Sequence, residues 1–201
     1  MLRPSVVVAM PPKGRRENLV VTTFLGGDLG PWLVVEVRKV KGPSLKRVPR
    51  LRIVDRELRS SPRGATWFLR GVVSNERYTE RWERALLEAR QPPLGRREAT
   101  RAALIPMAKS DEWWSLAQDE RRRIFEVRSG HIKTGLQYLP AIARRLYHGR
   151  DLGEPFDFLT WFEYAPEDAP AFEALVRKLR STEEWRYVVR EVDIRLVRMI
   201  R

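Results

Sequence analysis

Residues 140–180, PAIARRLYHGRDLGEPFDFLTWFEYAPEDAPAFEALVRKLR, decide the fold. Pro140 opens an alternating stretch, 141–148, and a Gly- and Pro-containing turn at 149–155 ends it. Residues 156–164 alternate again. Side chains two apart share a strand face, so Phe156, Phe158, Thr160, Phe162 and Tyr164 form one row. Pro170 falls in the first turn of a helix, where a missing N–H does no harm. Phe172, Leu175, Val176 and Leu179 then make a stripe of 3.6-residue period. Working outward, 102–107 reads as a short apolar strand, and Ser110 or Asp111 caps a helical stretch from about 112 toward Gly130. Downstream, Ser181-Thr182 ends the 3.6-period helix and 185–196 alternates as a last strand. The order β-α-β-β-α-β predicts an α+β, ferredoxin-like unit, with both helices on one face of a four-stranded antiparallel sheet.

The first half of the chain is harder to read. Residues 1–17 look like a loose end. Residues 19–25 and 32–37 read as two strands around the turn Gly26-Gly27-Asp28-Leu29-Gly30, and 66–73 as a third. Tyr78, Trp82, Ala85, Leu86 and Ala89 have the spacing of a helix face. Gln91-Pro92-Pro93-Leu94-Gly95 then marks a boundary, giving halves 1–95 and 96–201. At an offset of 90, Phe68-Leu69 matches Phe158-Leu159 and Trp82 matches Phe172, which points to a reduced second ferredoxin-like half at the N-terminus.

Composition removes many kinds of chemistry. The 201 residues hold no cysteine, which excludes disulfides, thiolate metal sites, iron–sulfur clusters and cysteine nucleophiles. With only two histidines, His131 and His148, a multi-histidine metal cage is out of reach. The Gly-rich turn lacks a following Gly-Lys-Ser/Thr and is not a P-loop. The early apolar run, 6–10, is too short for a signal peptide or a membrane span, so a soluble, cytoplasmic protein is expected. The net charge of +13 invites an anionic partner. Much of it alternates with acid, as solvated helix faces do, and the denser stretch 38–50 reads as a loop or hairpin more readily than a binding arm. A basic ferredoxin-like RNA binder would need a Lys/Arg-Gly-Phe/Tyr-type aromatic strand, and none is present; neither nucleic acid nor membrane is expected as a partner.

Three polar residues fall on apolar rows. In 141–148 one row is Ile142, Arg144, Leu146, His148, which sets an arginine between aliphatics. A buried unpaired charge costs several kcal/mol or more, so such an arginine has an anion, a carboxylate or a path to solvent. Thr160 is the aliphatic hydroxyl in the row of Phe158 and Phe162; a backbone hydrogen bond would account for it equally. His131 follows Ile124 and Val127 at i+7 and i+4, the side of the apolar stripe. A core histidine with a satisfied hydrogen bond fits that place, and so does an axial haem ligand, since a porphyrin supplies the other four nitrogens.

These residues sit in stretches that resemble a known family: LIPMAKSDEWW (104–114), HIKTGLQYLPAIARRLYHGRDL (131–152), EPFDFLTWFEYAPE (154–167) and TEEWRYVVREVDIRL (182–196). Weaker agreement comes from RGVVSNERYTERWE (70–83), GRREATRAAL (95–104) and FLGGDLGPW (24–32). Together they are similar to the chlorite dismutases, haem b proteins of the dimeric α+β barrel superfamily, and most of all to the short, dimeric branch. The resemblance implies conversion of chlorite to chloride and dioxygen at ferric haem b by a homodimer. It implies His131 as proximal ligand and iron-binding residue, with Glu184 accepting from its imidazole. Distal Arg144, Thr160 and Phe162 would act on the anion. Lys109, Trp113 and Trp114 would lie beside the haem propionates, with Ile105 and Met107 against the macrocycle. The same fold also carries haem-synthesis decarboxylases of coproporphyrin-bound iron, which generally lack the distal arginine, and haem peroxidases.

Overall fold

A computed structural model describes residues 20–73 and 78–199. Eight strands are seen among them: β1 (Val21–Gly27), β2 (Trp32–Lys41), β3 (Arg50–Val54), β4 (Ala65–Val73), β5 (Arg101–Lys109), β6 (Ala143–His148), β7 (Phe158–Tyr164) and β8 (Val188–Arg198). The helices are α1 (Arg81–Arg90), α2 (Asp111–Ser115), α3 (Gln118–Arg122), α4 (His131–Leu136) and α5 (Ala169–Arg180), with a π-helical turn at Arg123–Arg128 between α3 and α4. The readings that fell on residues 1–19 lie outside the described residues.

The strands close into a barrel in the order β1-β3-β2-β8-β5-β7-β6-β4. All eight junctions are antiparallel. The four-stranded sheet expected for the second half is thus one arc of a closed barrel: β8-β5-β7-β6. The first four strands form the other arc, β4-β1-β3-β2, and both arcs read fourth, first, third, second in chain order. The halves match in strand order but not in helices. Only the second arc has helices between its strands; in the first, α1 follows β4. The offset of 90 pairs β4 with β7, whereas the strand order makes β4 the counterpart of β8. Trp82, matched to the buried Phe172, is exposed.

Alternation along the strands makes two cores. Inward rows fill the barrel with Phe24, Trp32, Leu51, Leu104, Leu159, Trp161, Ile194 and others. Phe24 stands edge-on to Tyr147 and tilted against Trp161. Outward rows of β5 and β7, with Ile142 just ahead of β6, pack against Phe172, Leu175 and Val176 of α5. Phe162 lies in that second core, 6% exposed, and Tyr164 joins it, so these two outward aromatics of β7 are covered by helix rather than offered to stacked bases. Phe156 departs from its expected row: it precedes β7 and joins the barrel core. At the β4·β6 seam Gly71 lets the chains close, since a side chain there would begin 2.7 Å from Tyr147 Cβ.

The basic stretch 38–50 is a hairpin, one of the two forms expected for it: it holds the end of β2 and the start of β3, and Leu51 next to it is fully buried while Arg50 and Arg52 flank that residue. Two further readings change. Helix α1 buries Glu83 and Leu87, not the predicted Trp82 face. The Glu83 carboxylate takes the Glu80 N–H at 2.7 Å and Arg122 at 2.8 Å, and these bonds turn that side inward. The stretch 112–130 is not one helix. Leu116 and Ala117 are extended, and Glu120 caps the Ala117 N–H to start α3. Among the described residues no helix is long and apolar enough to cross a membrane.

The inward aromatic cluster sets stability independently of the outer face. Phe24→Ala is expected to cost about 3–5 kcal/mol, read as a lower denaturant midpoint. A loss below 1 kcal/mol would show that the barrel interior is not the main core.

Candidate functional site

The outward rows of β5, β6 and β7 run level with one another. Thr160 is registered with Ile105 on one side and Leu146 on the other. Phe158 is likewise paired with Met107 and His148, and Phe162 with Ala103 and Arg144. This grid floors a cavity of about 350 Å³, roofed by α1, α4 and α5. Arg144, Thr160 and Phe162 line it from the sheet, and His131 from the start of α4. Ile105, Met107, Lys109 and Trp113 line it as well. The Arg144 guanidinium carbon lies 3.9 Å from where a side chain on Gly135 would begin, which places the guanidinium beside α4, the helix that carries His131.

His131 is the first residue of α4, just after Gly130 in a left-handed conformation (φ 57°), which a glycine adopts without strain. Its Nδ1 is 2.7 Å from Glu184 Oε2. The other carboxylate oxygen of Glu184 accepts from Lys109 Nζ at 2.7 Å, and Lys109 also donates to the Glu184 carbonyl. The ammonium lies 4.5 Å above the Trp113 ring. Lys109, Glu184 and His131 thus form one buried chain. Burial alone pushes the Glu184 carboxyl up. The charges of His131 and Lys109, with their hydrogen bonds, outweigh it and hold the group down at about 2, against an ordinary 4.5. A carboxylate accepting from Nδ1–H fixes the tautomer, makes the ring a stronger electron donor and turns Nε2 to be the ligating nitrogen.

The remaining expected residues divide. Trp113 is buried in the cavity wall, and its indole N–H has no acceptor among the described residues. Trp114 is not in the wall. Its N–H goes to Asp157 at 3.1 Å, and its ring stacks behind Phe158. Lys109 turns its ammonium toward Glu184 rather than standing ready for an outside carboxylate, because a buried ammonium needs a carboxylate partner. Among the described residues no group of three or more His, Asp or Glu side chains could hold a bare metal ion. One imidazole in an apolar cavity, with an unsatisfied buried donor beside it, instead fits a macrocycle that brings its own nitrogens and its own acids.

Sequence reading missed Phe125, stacked on the His131 ring; Glu126, bonded to the start of α4; and Asp157, which also accepts the Lys109 N–H at 2.7 Å. The Ser129-Gly130 break was the available hint for Glu126, as it announces a new helix start that needs capping.

Comparison with known proteins identifies the family. The family model described as chlorite dismutase matches residues 63–200. The dimeric chlorite dismutase of Nitrobacter winogradskyi is 59% identical, over 89% of this chain and 99% of that one, with a TM-score of 0.83. The chlorite dismutase of Ideonella dechloratans is 35% identical over 89 residues, which is 44% of this chain and 29% of that protein's length. A variant chlorite dismutase of Candidatus Nitrospira defluvii, solved with cyanide, shares 23% identity and a TM-score of 0.64 over 91% of this chain and 92% of its own, a likeness of fold. This chain belongs to the chlorite dismutase family.

The folded Glu184 carboxyl titrates below the unfolded one, so its contribution to stability is complete above about pH 4.5 and disappears as the pH falls toward 2. Glu184→Gln removes that dependence. The variant's stability should decline less steeply than the wild type's between pH 4.5 and 2, measured as unfolding midpoint against pH; parallel curves would show that the carboxyl is not held low.

Proposed function

We propose that the chain is a haem b-dependent chlorite dismutase, converting ClO2⁻ to Cl⁻ and O2. The observation that carries the reading is that the Lys109–Glu184–His131 chain and Arg144 meet at one cavity. Bound haem supplies the redox iron at which chlorite exchanges its two Cl–O bonds for one O–O bond. His131 holds that iron through Nε2, and the negative charge kept on Glu184 makes the imidazole electron-rich. Trp113 offers its unsatisfied N–H to a carboxylate arm of the porphyrin, while Ile105 and Met107 pack on its face.

Arg144 would act on the anion. Its guanidinium is permanently charged and planar, so it would draw chlorite into the cavity and could bind two oxygens at once. It would hold the anion and its chlorine-bearing end in place, in surroundings whose low polarity strengthens the attraction. Thr160 adds a hydroxyl to the same cavity. Phe162, packed on Phe172, keeps water away. Arg144 also argues against decarboxylation of coproporphyrin-bound iron, whose enzymes generally lack that arginine.

The shared strand order supports reading the barrel as two ferredoxin-like halves, 1–95 and 96–201, the first reduced in that no helix lies between its described strands and α1 follows them. The dimeric Nitrobacter relative supports a homodimer.

Hemin-loaded protein should evolve O2 from chlorite at an oxygen electrode. Absence of gas from loaded protein, or haem b formed from coproporphyrin iron and peroxide, would replace this reading with another haem chemistry. Arg144→Ala should keep the Soret band, lose roughly 10²-fold in rate and bleach sooner as oxidant escapes. Unchanged turnover and lifetime would remove Arg144 from the reaction. His131→Ala should lose tight hemin binding, and a normal Soret titration in that variant would exclude His131 as ligand.

A further inference from the structure

A hydrogen bond to one ring nitrogen sets the direction of an imidazole but leaves its plane free to tilt about that bond. Glu184 therefore fixes where His131 points and not how its ring is inclined. Two neighbours from the π-helical turn supply what is missing. The Phe125 ring lies almost parallel to the imidazole, with centroids 4.3 Å apart and planes 23° apart. The Glu126 carboxylate takes the backbone N–H of Ile132 at 2.6 Å and of Lys133 at 3.1 Å. These are two of the amides that a helix start leaves without partners, so Glu126 anchors the first turn of α4, the turn that carries His131.

Phe125 is itself supported from behind. Tyr78 packs against it at 6.0 Å and stands edge-on to Trp113. Tyr78 adopts a left-handed backbone (φ 71°), uncommon for an aromatic residue, and is held there by Arg121 on its hydroxyl and Arg122 on its carbonyl. A side chain clamped in this way gives Phe125 a fixed surface to rest on. The stack then runs Tyr78, Phe125, His131, from an arginine clamp to the cavity.

We propose that Phe125 and Glu126 are positioning residues for the His131 imidazole, Phe125 setting the tilt of the ring and Glu126 the place of the helix end from which it hangs. The proposal rests on His131 being the haem ligand. Neither residue touches iron or chlorite; both act through the imidazole.

The test uses hemin-loaded full-length protein and reads the iron–histidine stretching band of the ferrous form by resonance Raman, with hemin affinity from Soret titration. Phe125→Leu keeps an apolar side chain and removes the flat face. The band should shift or broaden, and hemin affinity should fall by about tenfold. Phe125→Tyr restores the flat face and should restore both. Glu126→Gln keeps an acceptor oxygen but loses the charge, and should displace the band in the same sense by less. This second variant decides the matter if Phe125→Leu fails to fold by circular dichroism. An unchanged band in these variants overturns the proposal, and so does a fall in affinity with the band intact, which would mean packing alone. A wild type that takes up no hemin, or shows no histidine band, sinks the ligand reading instead.

Discussion

A carboxylate withdrawn from water must be paid for with positive charge, and Glu184 is the point at which this protein does so. Its two oxygens go to two different partners, Lys109 at the end of β5 and His131 at the start of α4. One buried charge therefore joins the barrel to the helical layer. Without Lys109 the carboxyl would lose the cation that balances its burial. Without Glu184, Lys109 would be a buried ammonium with no carboxylate, and the imidazole would lose the bond that selects its tautomer.

The barrel supplies the platform. Its inner face is filled, so the outer face of β5, β6 and β7 is free to carry polar groups without loss of the core. Arg144 and Thr160 are tolerated on a sheet of aliphatic and aromatic residues because they face a cavity rather than packed side chains.

How much of this was legible follows from which interactions are local. The row Ile142, Arg144, Leu146, His148 could be read from the sequence because period two survives wherever a strand is regular, and in the structure that row does face the cavity. The stripe of α5 was legible for the same reason at period 3.6. The side on which His131 lies was argued from its spacing to Ile124 and Val127, although Ser129-Gly130 weakens the helix between them, and Val127 is 75% exposed. The π-helical turn adds a residue to its loop and breaks the period. Lys109 and Glu184 stand 75 positions apart, beyond any periodicity; only family resemblance pointed to them. Closure of the barrel was invisible because β3 is short and lies among arginines and prolines.

The π-helical turn has a further consequence for the spacing of the chain itself. Each residue of a helix carries the next side chain about 100° around the axis. Were the stretch between Arg122 and Gly130 shortened by one position, the imidazole would emerge on another side of the bundle, however faithfully every side chain were kept. Residue count there is as much a component of the active centre as any functional group, and a deletion should be more damaging than most substitutions.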